Sequence, residues 1–405
     1  MLGFLQAAPL YLLSFILVVG LLVTIHELGH FLVAKWLGTA IDRFSIGFGR
    51  PLASRRDRSG VEWRIGWLPL GGYVRFAGDE NASSIPDEDE LETLRRTITA
   101  REGPQALRRY FHFKPIWQRT LIVIAGPAAN FLLAIVLFAG LLMAFGHEVI
   151  PARVGLVQPN SAAAAAGFRK GDLILAADGR AIEDFDALKQ LVAFRAGVPM
   201  DFLVSRGDRR IRLVATPRSE IVDDPVAGPQ HEGMLGIGAG ASLSEIKHVR
   251  YGPIPAVGEA TARTWRMVTT TVYYVGRMLS GQVPADGLRG PLGLASATGK
   301  VAALGAEGAP SLGAMLVGVS VNLIQMAAII SVSLGIGNLL PLPVLDGGAL
   351  LFYAYEAVAR RPLAAKVQAA GYRVGLALVL GLMLFATWND LQRQHVLTFL
   401  GGFFS

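Results

Sequence analysis

Four long apolar stretches constrain this chain more than any other feature of its sequence. They cover about residues 10–37, 120–146, 314–345 and 372–388, and a helix that spans a bilayer needs about 20 mostly apolar residues. Charged residues make up only 17% of the chain, whereas a soluble chain carries about 25%. The pattern predicts a polytopic α-helical membrane protein with about four transmembrane helices.

The composition excludes several kinds of chemistry. The chain has no cysteine, which excludes disulfide bonds, thiolate zinc sites, iron–sulfur clusters and cysteine nucleophiles. Any metal ion must therefore be bound by His, Asp or Glu. The net charge of +7 could indicate nucleic acid, but the basic residues are scattered without stacking aromatic residues between them. Anionic headgroups of a lipid bilayer explain the charge better, so we expect no nucleic-acid partner.

Basic residues in the short connections predict how the chain crosses the bilayer. Four of them lie between the third and fourth stretches: Arg360, Arg361, Lys366 and Arg373. The N-terminal flank has none. This distribution places the segments 38–119 and 347–371 in the cytoplasm and the long segment 147–313 outside.

The first apolar stretch contains three ionisable residues, His26, Glu27 and His30. Such groups cost about 3 kcal/mol each in a spanning helix by insertion scales, so we first consider a functional role. On a helix, His26 and His30 point from the same face and can reach one metal ion, with Glu27 close enough to act on a water molecule there. Two alternatives are core histidines that hydrogen-bond to neighbouring helices and a water-filled proton pathway.

Asp346 is the candidate for a third metal ligand, because a catalytic zinc ion usually takes three ligands from the protein. It is the only acidic residue near the end of the third stretch, and prolines and glycines interrupt the surrounding segment 338–348. Interrupted backbone at membrane depth usually lines a cavity. A zinc ion with Asp346 and Glu27 ionised sums to zero charge, which makes burial tolerable. Alternatively, Asp346 only caps or terminates a helix at the membrane interface.

Together these residues resemble the site-2 proteases, zinc enzymes that cut substrates within the membrane, and most closely the bacterial RseP/RasP branch. The H-E-x-x-H of 26–30 and the L-D-G of 345–347 carry the resemblance. It extends to G-F-G-R-P at 47–51, P-L-G-G-Y-V at 69–74, G-P-A-A-N-F at 126–131 and G-P-L-G at 290–293. The first two of these resemble the membrane-associated β-hairpin of that branch.

The resemblance implies a zinc endopeptidase of regulated intramembrane proteolysis in the bacterial inner membrane. It makes His26, His30 and Asp346 the zinc ligands and Glu27 the general base. It also implies single-pass membrane proteins as substrates, of the anti-sigma-factor type, with remnant signal peptides as a second class. Two rival functions are a catalytically silent adaptor that tethers clients and a zinc-dependent transporter. An adaptor would not need His26, Glu27 and Asp346, yet all three are present. A transporter would need a series of further metal ligands within the membrane, which this sequence lacks.

The predicted hairpin can also bind substrate, because Gly and Pro suit an edge strand and an edge can capture an extended peptide. The peptide bonds of a helical substrate are shielded inside the helix, so the helix must be unwound before water can attack them. The candidate substrate-binding residues are Gly71, Gly72 and Tyr73 on the hairpin, and Asn338, Pro341 and Pro343 after the third stretch. Alternatively, the hairpin only anchors the chain to the membrane surface.

The outer segment begins with the composition of a small soluble fold that resembles one α+β PDZ domain of the permuted bacterial kind. Such a domain either binds chain ends in a groove or excludes bulky substrates. The predicted order is a first span with the H-E-x-x-H motif (1–37), a cytoplasmic loop with the hairpin (38–119), a second span (120–146), the PDZ domain (147–220), a linker with an amphipathic helix (221–313), a third span with the L-D-G motif (314–346), a cytoplasmic loop (347–371), and a fourth span with the tail (372–405).

Overall fold

The computed structural model describes residues 2–78, 88–224, 228–242, 244–282 and 288–393. Part of the predicted first cytoplasmic loop (79–87) and most of the predicted tail (394–405) lie outside the described residues. The chain divides into two compact units. The helical unit comprises Met1–Leu137 and Gly290–Trp388, and the α+β unit is built on Phe138–Arg289.

The elements follow one another in a simple order. The first part contains α1 (Leu2–Trp36), β1 (Ile41–Arg56), β2 (Glu62–Phe76), α2 (Glu88–Glu102) and α3 (Ile116–Phe145). Then come β3 (His147–Val149), β4 (Val154–Val157), α4 (Ala162–Ala166), β5 (Leu173–Ala177), β6 (Arg180–Ala181), α5 (Phe185–Ala193), β7 (Met200–Arg206) and β8 (Arg209–Ala215). The chain continues with β9 (Arg218–Asp224), β10 (Gly228–Met234), β11 (Ile237–Ala239), β12 (Lys247–Val249), α6 (Pro253–Leu279), α7 (Pro291–Ala306), α8 (Leu312–Asn338), α9 (Asp346–Ala359) and α10 (Ala365–Arg393).

Within the described residues, α1, α3, α8 and α10 are the helices long and apolar enough to cross a membrane. The prediction of about four spans is confirmed, and the chain is a multi-pass membrane protein in a lipid environment. The third span ends at Asn338 rather than at the predicted 346. Pro341 and Pro343 follow, and a proline has no N–H to continue the helical hydrogen bonds. The fourth helix begins at Ala365 rather than at 372, because a helix can extend past its apolar window.

Small residues let the helices of the helical unit approach closely. A Cβ on Gly29 of α1 would overlap Ala125 and Ala129 of α3, so these two backbones meet where only glycine fits. Further along α1, the buried Val18 and Leu22 pack together with Ala327 of α8. The close contact on one side of α1 therefore falls within its H-E-x-x-H segment.

The strands β1 and β2 pair antiparallel and lie against α1. Asp57 closes the turn between them by accepting hydrogen bonds from two backbone N–H groups further along the turn. The ring of Phe31 in α1 lies 5.3 Å from that of Phe44 and 5.1 Å from that of Trp63, in edge-to-face contact. Since Phe31 directly follows His30, this aromatic cluster holds the strand pair beside the H-E-x-x-H turn.

One part of β2 forms an edge. Residues 43–46 of β1 face both 62–65 and 72–75 of β2. Among the described strands, only β1 pairs with β2. The segment 72–75 therefore has β1 on one side and no described strand on its other side.

The α+β unit is built around a four-stranded antiparallel sheet in the order β6-β5-β7-β8. Alternate residues of β7 are fully buried: Met200, Phe202 and Val204 are each at most 1% exposed. They pack with Leu188 of α5. The N-terminus of α5 is capped by Asp184, whose carboxylate accepts a hydrogen bond from the Ala187 N–H at 2.6 Å.

The domain extends beyond the predicted end at residue 220, and the prediction of a linker from 221 is wrong for its first part. The strands β9 and β10 pair with each other, β11 pairs with β4, and β12 pairs with β3. Leu235, between β10 and β11, is 3% exposed and belongs to the core. These strands are short and largely polar, so they lack the apolar alternation that predicts a strand. The amphipathic helix predicted at 255–280 corresponds to α6.

Candidate metal centre

The helix α1 places His26 and His30 one turn apart, as their spacing predicts. Their Nε2 atoms are 3.2 Å apart, and the two rings meet edge to face with centroids 4.8 Å apart. His26 is 6% exposed. Glu27 lies on the adjacent side of the same turn. Both imidazoles therefore turn the same nitrogen toward one point inside the helical unit.

Asp346 reaches this point from the start of α9. Its Oδ2 lies 3.2 Å from Nε2 of His26 and 3.5 Å from Nε2 of His30. The chain arrives there through a tight turn after α8. Gly347 and Gly348, at the start of α9, pack against that turn, because a Cβ on either would overlap the backbone of residues 339–343. The interrupted segment 338–348 thus reverses the chain direction and brings the carboxylate of Asp346 to the two histidines.

The three atoms fit a zinc ion. Zinc binds His nitrogen and carboxylate oxygen at about 2.0–2.2 Å, so the ligand atoms of a tetrahedral site lie about 3.3–3.6 Å apart. The observed separations are 3.2, 3.2 and 3.5 Å. In addition, Oδ2 of Asp346 is buried and accepts no hydrogen bond from any described residue. A buried carboxylate oxygen without a donor is costly, and a cation among the three atoms would remove that cost.

Residues of α3 contact the Nδ1 atoms of the two histidines, on the ring side away from the centre. Nδ1 of His30 lies 2.8 Å from the backbone carbonyl of Ile122, and Nδ1 of His26 lies 3.1 Å from Nδ2 of Asn130. Gly126 lies between these positions, and a Cβ there would overlap both imidazole rings. Sequence reasoning did not assign these three residues to the site. The signal that could have identified one of them is the polar Asn130 in an otherwise apolar span.

The edge of β2 reaches the acidic side of the centre. A Cβ on Gly72 would lie 3.2 Å from Cγ of Glu27, and the Val74 backbone N–H faces the Glu27 carboxylate. Gly71 has a φ of +112° and lies over the Phe48 ring. That ring also stacks on Tyr73, with centroids 6.1 Å apart. The structure thus brings Gly72 to Glu27, while Gly71 and Tyr73 lie along Phe48.

The other three predicted substrate-binding residues have different surroundings. Nδ2 of Asn338, the last residue of α8, lies 3.4 Å from both ring nitrogens of His26. Pro341 is exposed in the turn that follows. Pro343 packs against α10, where a Cβ on Gly375 would lie 2.9 Å from its Cδ. Of the three, Asn338 is therefore the one that contacts a residue of the centre.

A multi-pass helical unit that gathers two imidazoles, an aspartate and a neighbouring glutamate has the donor set of a membrane-embedded metalloprotease. Comparison with known proteins supports this class. The sequence profile of Peptidase family M50 matches residues 14–382, and the chain belongs to this family of site-2 protease type. The predicted family is thereby confirmed, and the chain is a zinc metalloprotease.

Relatives cover nearly the whole chain. It is 49% identical to metalloprotease MmpA of Caulobacter vibrioides over 405 residues, which is 100% of both chains. It is 39% identical to a putative zinc metalloprotease of Agrobacterium fabrum over 382 residues, 94% of this chain and 96% of that one. Zinc metalloprotease RasP of Geobacillus kaustophilus is 30% identical over 439 residues, covering 94% and 98% of the two chains. These names confirm the prediction of zinc as the cofactor.

Proposed function

We propose that this chain is an intramembrane endopeptidase that cleaves the transmembrane segments of single-pass membrane proteins. His26, His30 and Asp346 would hold the zinc ion, and Glu27 would serve as the general base. The convergence of the three ligand atoms within 3.5 Å, on elements of the helical unit, carries this proposal. The reacting centre would then lie where a substrate helix in the bilayer can reach it.

Each residue has a distinct task in the reaction. A bound zinc ion supplies positive charge that polarises the scissile carbonyl and lowers the pKa of water. Glu27 accepts the proton of the attacking water and later passes it to the leaving amine. The Ile122 carbonyl fixes the His30 ring, because it accepts the proton on Nδ1 and leaves Nε2 directed at the centre.

The unpaired side of 72–75 supports a role in holding substrate. A helical substrate must be unwound before water can reach its carbonyl groups, and an edge strand can capture the unwound segment through backbone hydrogen bonds. Gly72 lies directly beside Glu27, so a peptide bound along this edge would pass the general base. Asn338, which contacts His26, would bind the opposite side of the segment. A purely membrane-anchoring hairpin would not require this proximity.

We further propose that the α+β unit is a PDZ-type domain on the extracytoplasmic side of the bacterial inner membrane. A cavity of about 260 Å³ lies between α5 and residues 232–237, lined by Leu188 and Lys189 on the helix side. A groove between a helix and an extended segment is typical of chain-end recognition by PDZ domains. The domain would exclude substrates that still carry bulky outer parts, as expected for anti-sigma-factor and remnant signal-peptide substrates.

The proposed activity is tested by incubating the purified chain with a candidate single-pass anti-sigma-factor segment in liposomes. We expect cleavage within the transmembrane segment, loss of cleavage with a zinc chelator, and recovery when zinc is added back. Glu27→Gln protein serves as the matched control against contaminating proteases. Binding of the segment without cleavage would indicate the adaptor instead. Cleavage only outside the bilayer region would show that the enzyme is not an intramembrane protease.

A further inference from the structure

Asn130 of α3 is a buried polar side chain that contacts His26. It is 0% exposed, and its Nδ2 lies 3.1 Å from Nδ1 of His26. Its Oδ1 is buried and has no hydrogen-bond partner among the described residues. A buried polar group left without a partner is destabilising, so the orientation of this amide has an energetic consequence.

The neighbouring histidine shows what the centre requires. Nδ1 of His30 contacts a backbone carbonyl at 2.8 Å, and a carbonyl can only accept. The proton of neutral His30 therefore lies on Nδ1, and the lone pair lies on Nε2, which faces the centre. A metal-binding histidine usually donates its other N–H to such an acceptor, which fixes the tautomer.

His26 needs the same tautomer, since its Nε2 faces the same point. Its Nδ1 must then carry a proton and needs an acceptor. The oxygen and nitrogen of an amide have nearly the same shape, so a half-turn of the Asn130 amide exchanges them without moving other atoms. We propose that Asn130 is a positioning residue whose Oδ1 accepts the Nδ1 proton of His26 and so keeps Nε2 available to zinc.

Asn338 is a poorer partner for this proton. Its Nδ2 is 3.4 Å from both Nδ1 and Nε2 of His26. The two nitrogens flank Cε1, and their N–H directions diverge, so a group equidistant from both is aligned with neither. Asn130 is also better fixed. Its backbone carbonyl accepts a hydrogen bond from Oγ of Ser331 at 2.8 Å, and Ser331 is fully buried in α8. The backbone that carries this amide is therefore held by contacts between α3 and α8.

The inference rests on the proposed ligand set, and its test has a readout independent of proteolysis. Asn130→Leu keeps the size of the side chain but removes the acceptor, whereas Asn130→Asp keeps an acceptor oxygen. Zinc affinity of the full-length chain in detergent is measured by competition with a chelator, and the visible spectrum of the Co²⁺-loaded protein reports the ligand geometry. We expect a loss of about 10–100-fold for Asn130→Leu, with an altered Co²⁺ spectrum, and near wild-type values for Asn130→Asp.

The outcomes separate this inference from the proposed function. Wild-type zinc affinity in Asn130→Leu would overturn it, as would an equal loss in the Leu and Asp variants, which would indicate a donor or a packing role. His26→Ala is measured in parallel. If His26→Ala retains wild-type affinity, the proposed ligand set is wrong. If His26→Ala loses zinc while Asn130→Leu does not, only the role of Asn130 is wrong.

Discussion

Nε2 of His26 lies 3.2 Å from Oδ2 of Asp346, although one residue belongs to the first span and the other begins α9. The position of Asp346 depends on the tight turn after α8, and on a second contact further along α9. There, Arg119 of α3 donates to Oε1 of Glu356 at 2.7 Å and lies over the ring of Tyr353. The aspartate is therefore held at the centre by backbone geometry on one side and by an ion pair on the other.

Glu27→Gln should separate zinc binding from catalysis. The amide keeps the shape of the side chain and leaves His26, His30 and Asp346 intact, but it cannot accept a proton from water. We expect zinc content near one per chain and a fall in activity of roughly 10²–10⁴-fold, which is usual for loss of a general base. The measurements are metal analysis and cleavage of a transmembrane substrate. Undiminished turnover would assign the base to another residue.

Asp346→Asn should weaken zinc binding as well as activity. A neutral amide is a poor ligand, and the site loses the negative charge that offsets the buried cation. Zinc affinity, measured by chelator competition, should fall by at least about tenfold, the lower end of the loss seen even for outer partners of metal ligands. Full zinc occupancy and activity in this variant would mean that the third ligand lies elsewhere in the chain.

Gly126→Ala tests whether space beside the histidines matters when no ligand is altered. A Cβ at this position would overlap both imidazole rings, so the rings must move from their common direction. We expect a loss of zinc affinity similar to that of a ligand variant. Gly140→Ala in the same helix is the matched control, because its Cβ would meet no atom within 4 Å. Equal behaviour of the two variants would contradict the close packing around the centre.

Much of the helical unit could be predicted from the sequence, because its signals are strong and local. An apolar run of spanning length predicts a helix, and the spacing of His26 and His30 places them on one face. A polar residue in an apolar span marks Asn130 as a candidate, but its contact with His26 could not be predicted, since it depends on which face of α3 meets α1. The strands after residue 217 were missed for other reasons. The strands β11 and β12 are defined by pairing with the distant β4 and β3, and β9 and β10, which pair with each other, are largely polar and lack the apolar alternation of a strand.

A buried ion pair predicts how the α+β unit responds to acid. Asp172 is 1% exposed, and both of its oxygens accept hydrogen bonds of 2.8 Å from Arg206. Burial alone would raise the pKa of Asp172, but the hydrogen bonds from Arg206 hold this pKa below its usual value. Because the native pKa is the lower one, the stabilisation is complete above the unfolded value of about 4 and is lost as the pH falls below it.

The variant Asp172→Asn isolates this effect. At pH 7 we expect a loss of about 2 kcal/mol, seen as faster hydrogen exchange in β7 of the variant than of the wild type. As the pH falls through the lowered pKa of Asp172, wild type and variant should exchange at increasingly similar rates, because the wild-type carboxylate becomes protonated. Comparison at equal pH removes the intrinsic pH dependence of exchange. A difference that does not change with pH would exclude the charge of Asp172 as its cause.

The α+β domain can be removed to distinguish exclusion of bulky substrates from tethering of trimmed ones. His147 of β3 pairs with Val249 of β12, so the domain begins and ends at neighbouring positions, and a short glycine linker can replace residues 147–249. If the domain excludes bulky substrates, its deletion should allow cleavage of a full-length substrate and leave that of a pre-trimmed one nearly unchanged. Lys189→Glu alters the lining of the groove without removing the domain and should then have no effect. If deletion leaves the full-length substrate uncut, and both changes slow cleavage of the trimmed form, the domain acts by binding new chain ends.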